Sequence, residues 1–295
     1  MTAPPPPVVL VTGATGGIGA AVAGAYARRG SPLVLLARSK GLLEQLGAEC
    51  TARGVPVLVT VADVSDAGAV EAAFEAAVQR FGRVDVVVHT AAVAAYGRIE
   101  EVPAEVWDRV QLVNVGGTVN VARAALRSFA ARAATGDGGG SLVLTGSILG
   151  QATVPFMGPY VTSKWAVRGF ARVLQQEARE LPGVHVGIVN PGAIRTPIYD
   201  LAANYAGRVG RPPPPTYAPE RVASAILRLV DEHGRATGVG VTNPLIRTAW
   251  TVVPRLYDVL VPRLMRVAGL RRQSIEPHPG NVFTPSEDVP PLPVP

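Results

Sequence analysis

The segment Tyr160-Val-Thr-Ser-Lys164 places a phenol and an ammonium four residues apart. On a helix this spacing brings both side chains to one face, one turn apart. A free phenol has a pKa of about 10, and a neighbouring positive charge favours its ionised form. We therefore predict that Lys164, one of only two lysines in the chain, lowers the pKa of Tyr160. Such a pair can exchange a proton with a bound oxygen, which is general acid–base chemistry.

A second candidate site is the glycine-rich run Thr12-Gly13-Ala14-Thr15-Gly16-Gly17-Ile18-Gly19, which lies between an apolar run and a segment of helical periodicity. Glycines permit positive φ and let the main chain approach a pyrophosphate, while a helix N-terminus supplies amide donors and a favourable dipole. This placement predicts a dinucleotide-phosphate site. The residues expected to contact the phosphates are Gly13, Thr15, Gly17, Ile18 and Gly19.

The elements that must position these residues alternate regularly along the chain. Apolar runs predict strands over residues 8–12, 33–37, 56–62, 85–89, 141–145, 184–189 and 237–241, and helical periodicity predicts helices over residues 17–29, 42–53, 67–81, 105–131, 160–180 and 219–232. Strands that are apolar throughout must be covered on both faces. We therefore predict an α/β fold with a doubly wound, Rossmann-type parallel sheet between two helical layers, followed by a short helical C-terminal extension.

Four further features accompany these two motifs, and together they resemble the short-chain dehydrogenase/reductase family. The glycine-rich run resembles the family's T-G-x-x-x-G-x-G, and the tyrosine segment resembles its Y-x-x-x-K. Asn190-Pro191-Gly192, followed by Thr196, is similar to P-G-x-x-x-T. The family's serine, its helical asparagine and its adenine-contacting pair are matched by Ser147, Asn114 and Asp63-Val64. The motif N-N-A-G is replaced by His89-Thr90-Ala91-Ala92, so we expect Ala92 to have a negative φ or to be strained.

The resemblance implies a role for each of these residues. Tyr160 would be the proton donor or acceptor, and Lys164 would also bind the nicotinamide ribose. Ser147 would hydrogen-bond the substrate oxygen, Asn114 would hold a proton-relaying water, and Thr196 would bind the carboxamide. Further cofactor contacts are expected from Asp63, Val64, Ala91, Pro191 and Ile194.

The end of the second strand bears on which dinucleotide is bound. A free 2′-hydroxyl is usually held by an acidic side chain at this position, but the sequence has Ala37 followed by Arg38. An arginine can form a bidentate pair with a 2′-phosphate, and Ser39 and Lys40 follow closely enough to assist. We therefore predict NADP(H) as the cofactor.

Composition excludes several other classes of site. The net charge of +6 is spread along the chain rather than gathered in a basic arm, so no nucleic-acid partner is expected. The histidines lack metal-ligand spacing, so no metal is expected. The single cysteine, Cys50, cannot form an internal disulfide, and the first residues lack a signal-peptide pattern. We expect a cytoplasmic protein.

We expect residues 1–242 to form the dinucleotide-binding and catalytic domain, residues 243–272 an amphipathic helical extension broken by prolines, and residues 273–295 an irregular Pro-rich tail. The extension carries six arginines and one aspartate. Its apolar stripe, which includes Trp250 and Leu256, has two interpretations: packing over the substrate pocket or a partner subunit, which we favour, or peripheral contact with a membrane surface.

Apolar and aromatic residues between Thr196 and Tyr217, together with Val154, Phe156 and Met157, predict a pocket for a small hydrophobic carbonyl compound or alcohol. We therefore expect a homo-oligomeric, NADP(H)-dependent oxidoreductase that interconverts a ketone or aldehyde and an alcohol. Two alternatives remain open: a non-catalytic dinucleotide-sensing or scaffold protein, and a reductase of carrier-bound acyl chains.

Overall fold

The computed structural model describes residues 5–134, 136 and 138–286. The strands are β1 (Val9–Thr12), β2 (Leu33–Ala37), β3 (Val57–Val61), β4 (Val86–His89), β5 (Ala95–Tyr96), β6 (Gly140–Thr145), β7 (Val184–Pro191), β8 (Ala203–Asn204), β9 (Arg208–Gly210), β10 (Ala236–Val239) and β11 (Leu270–Ser274). The helices are α1 (Gly17–Arg28), α2 (Lys40–Thr51), α3 (Ala67–Phe81), α4 (Ala104–Gln111), α5 (Gly117–Ala134), α6 (Gly158–Glu177), α7 (Ile198–Leu201), α8 (Pro219–Asp231), α9 (Asn243–Val252) and α10 (Pro254–Leu264).

Seven of these strands form a parallel sheet in the order β10-β7-β6-β4-β1-β2-β3. β1 pairs with β2 on one side and with β4 on the other, so that Val9 lies opposite both Leu33 and Val86. From the two central strands, β1 and β4, the chain winds outward in both directions. In such sheets ligands bind beyond the carboxyl ends of the strands, where the winding direction reverses. Here that point lies between β1 and β4.

Alternating side chains of the sheet enter two separate apolar cores. Leu10 and Val34 belong to the core shared with α3, α5 and α6, whereas Val9 and Leu33 belong to the core shared with α1, α2 and α8. Both faces of the central strands β1, β2 and β4 are therefore shielded from water, which is why strands that are apolar throughout are stable here. The predicted α/β fold, a doubly wound parallel sheet between two helical layers, is confirmed.

The predicted single helix over residues 105–131 is wrong in one respect. α4 and α5 are separated by a π-helical turn, Leu112–Gly116, and the side chain of Asn114 in this turn forms two hydrogen bonds with the main chain of Val93. Such turns often occur at functional sites. Helical periodicity does not predict the turn, because the partner of Asn114 lies on a different segment of the chain.

The C-terminal extension differs from its predicted bounds. Its helices end at Leu264, a π-helical turn covers Met265–Gly269, and β11 then pairs antiparallel with β9. The tail segment (residues 275–286) is described, and residues 287–295 of the predicted tail lie outside the described residues. Within the described part of the chain, no helix is both long enough and apolar enough to cross a membrane.

Candidate active site

A cleft lies at the carboxyl ends of β1, β2, β3 and β4, with about 1060 Å³ of space that is open to solvent. In its wall Gly13 has a φ of +64°, and a Cβ there would lie 2.6 Å from the Cα of Ala91. The positive φ and the close approach between the loops after β1 and β4 both require glycine. Ala92 also lines the cleft and is not among the residues with positive φ, so alanine is accommodated there without strain.

The first turn of α1 forms one side of this cleft. Gly16 is the N-cap of the helix, no side chain caps it, and no acidic residue lies in the first turn. A Cβ on Gly19 would lie 2.2 Å from the carbonyl oxygen of Gly13, so the helix starts directly against the loop. A helix N-terminus without a side-chain cap can donate its amide hydrogens to an anion. These features fit the pyrophosphate of a dinucleotide.

The structure brings most of the predicted site residues to this cleft or to a smaller inner cavity that continues from it. The cleft is lined by Gly13, Thr15, Gly17, Ile18, Gly19, Arg38, Asp63, Val64, Ala91 and Thr196. The inner cavity is lined by Ile18, Ser147, Tyr160, Lys164, Pro191, Ile194 and Thr196. Ile18 and Thr196 border both spaces, so the two are continuous. Asn114 borders neither.

Three of the four predicted catalytic side chains, those of Ser147, Tyr160 and Lys164, line the inner cavity, which has about 450 Å³ of space. Ser147 follows β6 and caps a short 3₁₀ turn, where its Oγ accepts a hydrogen bond from the Leu149 amide at 3.0 Å. The Tyr160 hydroxyl is hydrogen-bonded to Ser147. Lys164 lies one turn farther along α6, with Nζ 5.5 Å from the centre of the Tyr160 ring, and Nζ donates to the Thr145 carbonyl at 2.9 Å.

Burial dominates the pKa of both ionisable groups on α6. It raises the pKa of Tyr160 to about 12, although the hydrogen bond with Ser147 lowers that pKa in part. It lowers the pKa of Lys164 to about 8, because a buried ammonium loses its hydration. The predicted net lowering of the Tyr160 pKa is therefore wrong for this structure, because the loss of water around the phenolate outweighs the hydrogen bond with Ser147.

Asn114 is buried and joins three parts of the chain through its side chain. Oδ1 accepts from the Val93 amide at 2.8 Å, and Nδ2 donates to the Val93 carbonyl and to Ser163 Oγ, both at 2.9 Å. Ser163 in turn donates to the Tyr160 carbonyl at 2.7 Å. Asn114 thus connects the loop after β4 to the turn of α6 that carries Tyr160. The water-holding role implied by the resemblance stays a prediction.

His89 is buried at the end of β4, where the resembled family has asparagine. Its Nδ1 is 2.8 Å from Thr12 Oγ1 and its Nε2 is 3.0 Å from Thr118 Oγ1. Thr118 donates its own proton to the Asn114 carbonyl at 2.6 Å, so Nε2 must be the donor and Nδ1 the acceptor. Burial, with a smaller effect from the nearby Lys164 cation, lowers the pKa of His89 to about 3. A neutral imidazole therefore connects β1, β4 and α5 beside the cleft.

Arg38 follows β2 at the outer end of the cleft. Its guanidinium donates to three main-chain carbonyls of the tail segment, at 2.6 Å to Asn281 and at 3.3 Å to both Val282 and Phe283. It also lies 3.8 Å from the carboxylate of Asp63. These carbonyl partners could not be predicted from the sequence, because they lie more than 240 residues away along the chain.

Two neighbours of Arg38 were also assigned to the 2′-phosphate site by sequence analysis. Ser39 lines the cleft, and its Oγ accepts from the Leu42 amide at 3.3 Å, so it caps α2. Lys40 is exposed, does not line the cleft and forms an ion pair with Glu44 at 3.8 Å. The predicted contribution of Lys40 is therefore wrong, because the first turn of α2 directs its ammonium to the helix's own surface.

Arg109 on α4 is a charged residue at this end that sequence analysis missed, since nothing in its spacing marks it. Its guanidinium forms an ion pair with Asp63 and donates to Ser65 Oγ at 2.8 Å and to the Val282 carbonyl at 3.4 Å. Burial raises the pKa of Asp63, but hydrogen bonds from Ser65 and the two nearby guanidiniums lower it overall. Arg38 and Arg109 together face one carboxylate, which leaves a positive charge in excess.

An apolar wall lies beyond the inner cavity. Ile198 and Tyr199 line the cavity itself, while Leu201 lines the outer cleft. Tyr205 and residues 212–215, also expected near the substrate, line neither space. The cluster behind the cavity consists of buried Ala94, Tyr96, Met157, Val161, Ala202, Met265 and Leu270, with partly buried Val154 and Phe156 against it.

One side of the C-terminal extension packs on this wall. Trp250 Nε1 donates to Thr153 Oγ1 at 3.2 Å, and the Tyr257 hydroxyl donates to the Thr153 carbonyl at 2.9 Å. The Trp250 ring lies 5.2 Å from the ring of Trp165 on α6. Met265 completes the contact as a member of the apolar wall. The extension therefore covers the apolar wall beside the inner cavity.

The other side of the extension is apolar and exposed. Its exposed apolar side chains, with 44–72% of each accessible to solvent, are Leu245, Val252, Leu256, Val259, Leu260, Leu264 and Val267. Exposed arginines of the same segment are Arg247, Arg255, Arg263 and Arg266. Scattered apolar residues are ordinary on protein surfaces, whereas large contiguous apolar patches are often interaction sites.

Comparison with known proteins agrees with this geometry. The uncharacterized oxidoreductase YxnA of Bacillus subtilis is 30% identical over 260 residues, which cover 88% of this chain and 72% of that protein. An alcohol dehydrogenase from the archaeon Thermococcus sibiricus, solved with 5-hydroxy-NADP, is 32% identical with a TM-score of 0.65 over 79% of this chain and 94% of that one. A short-chain dehydrogenase/reductase from Burkholderia phymatum, solved with NAD, is 25% identical with a TM-score of 0.72 over 94% of this chain and 99% of that one.

The family model described as short chain dehydrogenase matches residues 7–204, which contain the glycine-rich run, Ser147 and the tyrosine–lysine pair. With this match and the similarity to YxnA, the chain belongs to the short-chain dehydrogenase/reductase family of oxidoreductases.

Proposed function

We propose that this chain is an NADP(H)-dependent oxidoreductase that interconverts a small hydrophobic ketone or aldehyde and the corresponding alcohol. The observation that supports this most is the arrangement of Ser147, Tyr160 and Lys164 around one cavity that continues into the dinucleotide cleft. Ile198 and Tyr199 at the cavity, with the apolar wall behind them, favour a hydrophobic substrate.

Bound nicotinamide would supply or accept the hydride, and the protein would position the substrate and move one proton. Ser147 Oγ borders the cavity and could donate a hydrogen bond to the substrate oxygen as negative charge develops on it. The Tyr160 hydroxyl, bonded to Ser147, would give its proton to the same oxygen in the reductive direction. With a pKa of about 12 the phenol carries that proton at neutral pH.

Lys164 would stabilise the phenolate that remains after proton transfer. Its pKa of about 8 keeps most of the ammonium charged at neutral pH, and Nζ lies 5.5 Å from the centre of the Tyr160 ring. One Nζ hydrogen is used by the Thr145 carbonyl. An ammonium has further donors, and these could bind ribose hydroxyls as the family resemblance implies.

The proposed preference for NADP(H) is supported by the charges at the outer end of the cleft. Ala37 offers no carboxylate to a 2′-hydroxyl, whereas Arg38 and Arg109 face a single carboxylate, that of Asp63. The excess positive charge suits a 2′-phosphate. Family membership alone does not select the cofactor, because the Thermococcus structure was solved with an NADP derivative and the Burkholderia structure with NAD.

The mechanism is tested by Tyr160→Phe, assayed with NADPH and a panel of hydrophobic ketones and aldehydes. We expect turnover to fall by about 100-fold or more while NADPH binding is retained, because the ring stays and only the proton donor is lost. Tyr205→Phe, outside both cavities, is the matched control and should keep its rate. A Tyr160→Phe enzyme with near-normal turnover would disprove the mechanism.

The same assay separates the two alternatives. A wild-type protein that binds NADPH but turns over no substrate supports a dinucleotide-sensing or scaffold role. Turnover confined to acyl chains attached to a carrier protein supports the carrier-bound reductase. Reduction of free ketones or aldehydes supports the function proposed above.

We further propose that the exposed apolar side of α9 and α10 rests on an anionic membrane surface. Its apolar side chains would enter the lipid boundary, and the arginines beside them would meet anionic headgroups. Wild-type protein should co-sediment with phosphatidylglycerol vesicles, less so at high salt, and much less with phosphatidylcholine vesicles.

Leu256→Glu should abolish this binding, and Val78→Glu, at an exposed apolar residue on α3, is the control that should retain it. Failure of the wild-type protein to bind anionic vesicles would refute the proposal. A homo-oligomer that dissociates in Leu256→Glu, seen by light scattering, would instead assign this surface to a second copy of the chain.

A further inference from the structure

The tail segment is held along the edge of the cleft by main-chain hydrogen bonds. Asn204 and His278 exchange two such bonds, of 2.8 Å and 3.0 Å, and the Asn281 amide donates to the Leu201 carbonyl at 2.9 Å. Between them, Gly280 has a φ of +52°, and a Cβ there would lie 2.3 Å from the Leu201 carbonyl oxygen. The segment is therefore fitted closely to α7 and β8.

Val282 anchors this segment in the core of the domain. Its side chain is fully buried, in the same apolar cluster as Val64 and Val113, both of which line the cleft. Asn281 and Ser286, on either side of this anchor, line the cleft themselves. The tail segment is thus part of the wall of the proposed cofactor site.

The carbonyls of this anchored segment accept hydrogen bonds from the guanidinium of Arg38, the group that the proposed function assigns to the 2′-phosphate. Both terminal nitrogens of Arg38 donate to carbonyls of residues 281–283, and Arg109 Nε donates to the carbonyl of Val282. The excess positive charge of the two guanidiniums over Asp63 therefore faces a set of carbonyl dipoles. A phosphate that pairs with Arg38 in a bidentate manner needs the same donors.

We propose that residues 281–283 are a specificity-determining element for the cofactor, which competes with the 2′-phosphate of NADP(H) for Arg38. NADP(H) must displace these carbonyls from the guanidinium, whereas NAD(H), which has a hydroxyl at that position, need not. The tail segment therefore lowers the affinity for NADP(H) relative to NAD(H). This inference rests on the proposed use of Arg38 as the 2′-phosphate ligand.

Two truncated chains test the proposal. A chain that ends at Pro279 keeps the pairing of His278 with Asn204 but loses the carbonyls of residues 281–283, and a chain that ends at Ser286 keeps all described contacts. We expect the ratio of the NADH Kd to the NADPH Kd, measured by calorimetry, to rise roughly tenfold in the shorter chain, a change of about 1.4 kcal/mol. The longer chain should match the full-length protein.

A full-length pair of variants covers the case in which the shorter chain does not fold. Val282→Asn places a polar side chain in an apolar cluster and should loosen the anchor, whereas Thr284→Asn changes an exposed neighbour outside residues 281–283. Val282→Asn should raise the Kd ratio and Thr284→Asn should leave it unchanged. Arg38→Ala should remove this rise in the Kd ratio, both in the Val282→Asn protein and in the chain that ends at Pro279. An unchanged ratio in both Val282→Asn and the Pro279 chain would overturn the proposal.

A cofactor-free measurement separates this proposal from the proposed function. Phenylglyoxal modification of Arg38, followed by peptide mass spectrometry, should be faster in the Pro279 chain than in the Ser286 chain. Equal rates, together with an unchanged Kd ratio, overturn the competition while leaving NADP(H) as the cofactor. Arg38 could instead be modified faster in the Pro279 chain while both chains bind NADH and neither binds NADPH. That result overturns the assignment of NADP(H) as the cofactor, and the proposed competition with it.

Discussion

The buried imidazole of His89 makes the protein sensitive to acid in a way that can be measured. Both ring nitrogens form hydrogen bonds, since Nδ1 accepts from Thr12 and Nε2 donates to Thr118. A proton added to Nδ1 would therefore lack a hydrogen-bond acceptor. Replacement by Asn, the residue that the family pattern carries here, keeps one acceptor and one donor but removes the titration. His89→Asn is therefore the perturbation that isolates the effect.

The magnitude follows from the pKa of His89, which burial lowers from 6.5 to about 3. Between these two values the unfolded chain binds a proton that the folded chain does not, so the free energy of unfolding decreases as the pH falls. The contribution of neutral His89 to the free energy of unfolding is fully present above pH 6.5, and it declines by about 1.4 kcal/mol per pH unit below that value. At pH 5 this one ring should have cost about 2 kcal/mol relative to pH 7.5.

Urea unfolding at pH 7.5, 6.5 and 5.0, followed by circular dichroism, tests this value. The variant should be less stable than the wild type at pH 7.5, because Asn is smaller, and the difference should narrow by about 2 kcal/mol at pH 5. His233→Asn, at an exposed position with a φ of +51° that Asn tolerates, should leave the wild-type pH dependence largely in place. Parallel pH dependences for wild type and His89→Asn would refute the reasoning.

Three further predictions concern other parts of the site. Gly13→Ala should abolish NADPH binding and should lower the free energy of unfolding more than Gly54→Ala does. Both glycines have a positive φ, but only Gly13 also has main-chain atoms within 3 Å of an added Cβ. Equal free energies of unfolding for the two variants would contradict the close approach at Gly13. Lys164→Ala should raise the NADPH Kd and lower turnover together, and a variant that lost only turnover would exclude ribose binding by the ammonium. Val282→Ala should cost about 1–3 kcal/mol in urea unfolding, against less than about 0.5 kcal/mol for Val267→Ala at an exposed position, and equal costs would mean that the tail segment is not anchored.

The sheet could be predicted from sequence because its signals are local. Each central strand is a short apolar run, each covering helix has its own periodicity, and the alternation of the two leaves a doubly wound sheet as the consistent arrangement. The glycine-rich run is equally local, because the turn, the helix start and the candidate phosphate site are built from neighbouring residues. The break between α4 and α5 is not local, since it depends on the contact of Asn114 with Val93.

The grouping of Ser147, Tyr160 and Lys164 follows from sequence for a similar reason. Two of the three are neighbours on one helix, and the third follows a strand whose carboxyl end lies at the same edge of the sheet as the glycine loop. Their electrostatics could not be predicted in this way. The spacing of Tyr160 and Lys164 suggests a lowered phenol pKa, but the amount of water excluded by the surrounding fold raises it.

The sequence by itself determined the strands of the central sheet, most of the helices, the glycine-rich loop and the candidate catalytic set, because each depends on residues close together along the chain or on the order of elements. Tertiary structure alone decided the surroundings of Arg38, where carbonyls from the other end of the chain and the guanidinium of Arg109 meet at the cleft. It also decided the protonation state of His89 and the burial of Val282. These properties depend on desolvation and on contacts between remote segments, and neither quantity exists until the chain has folded.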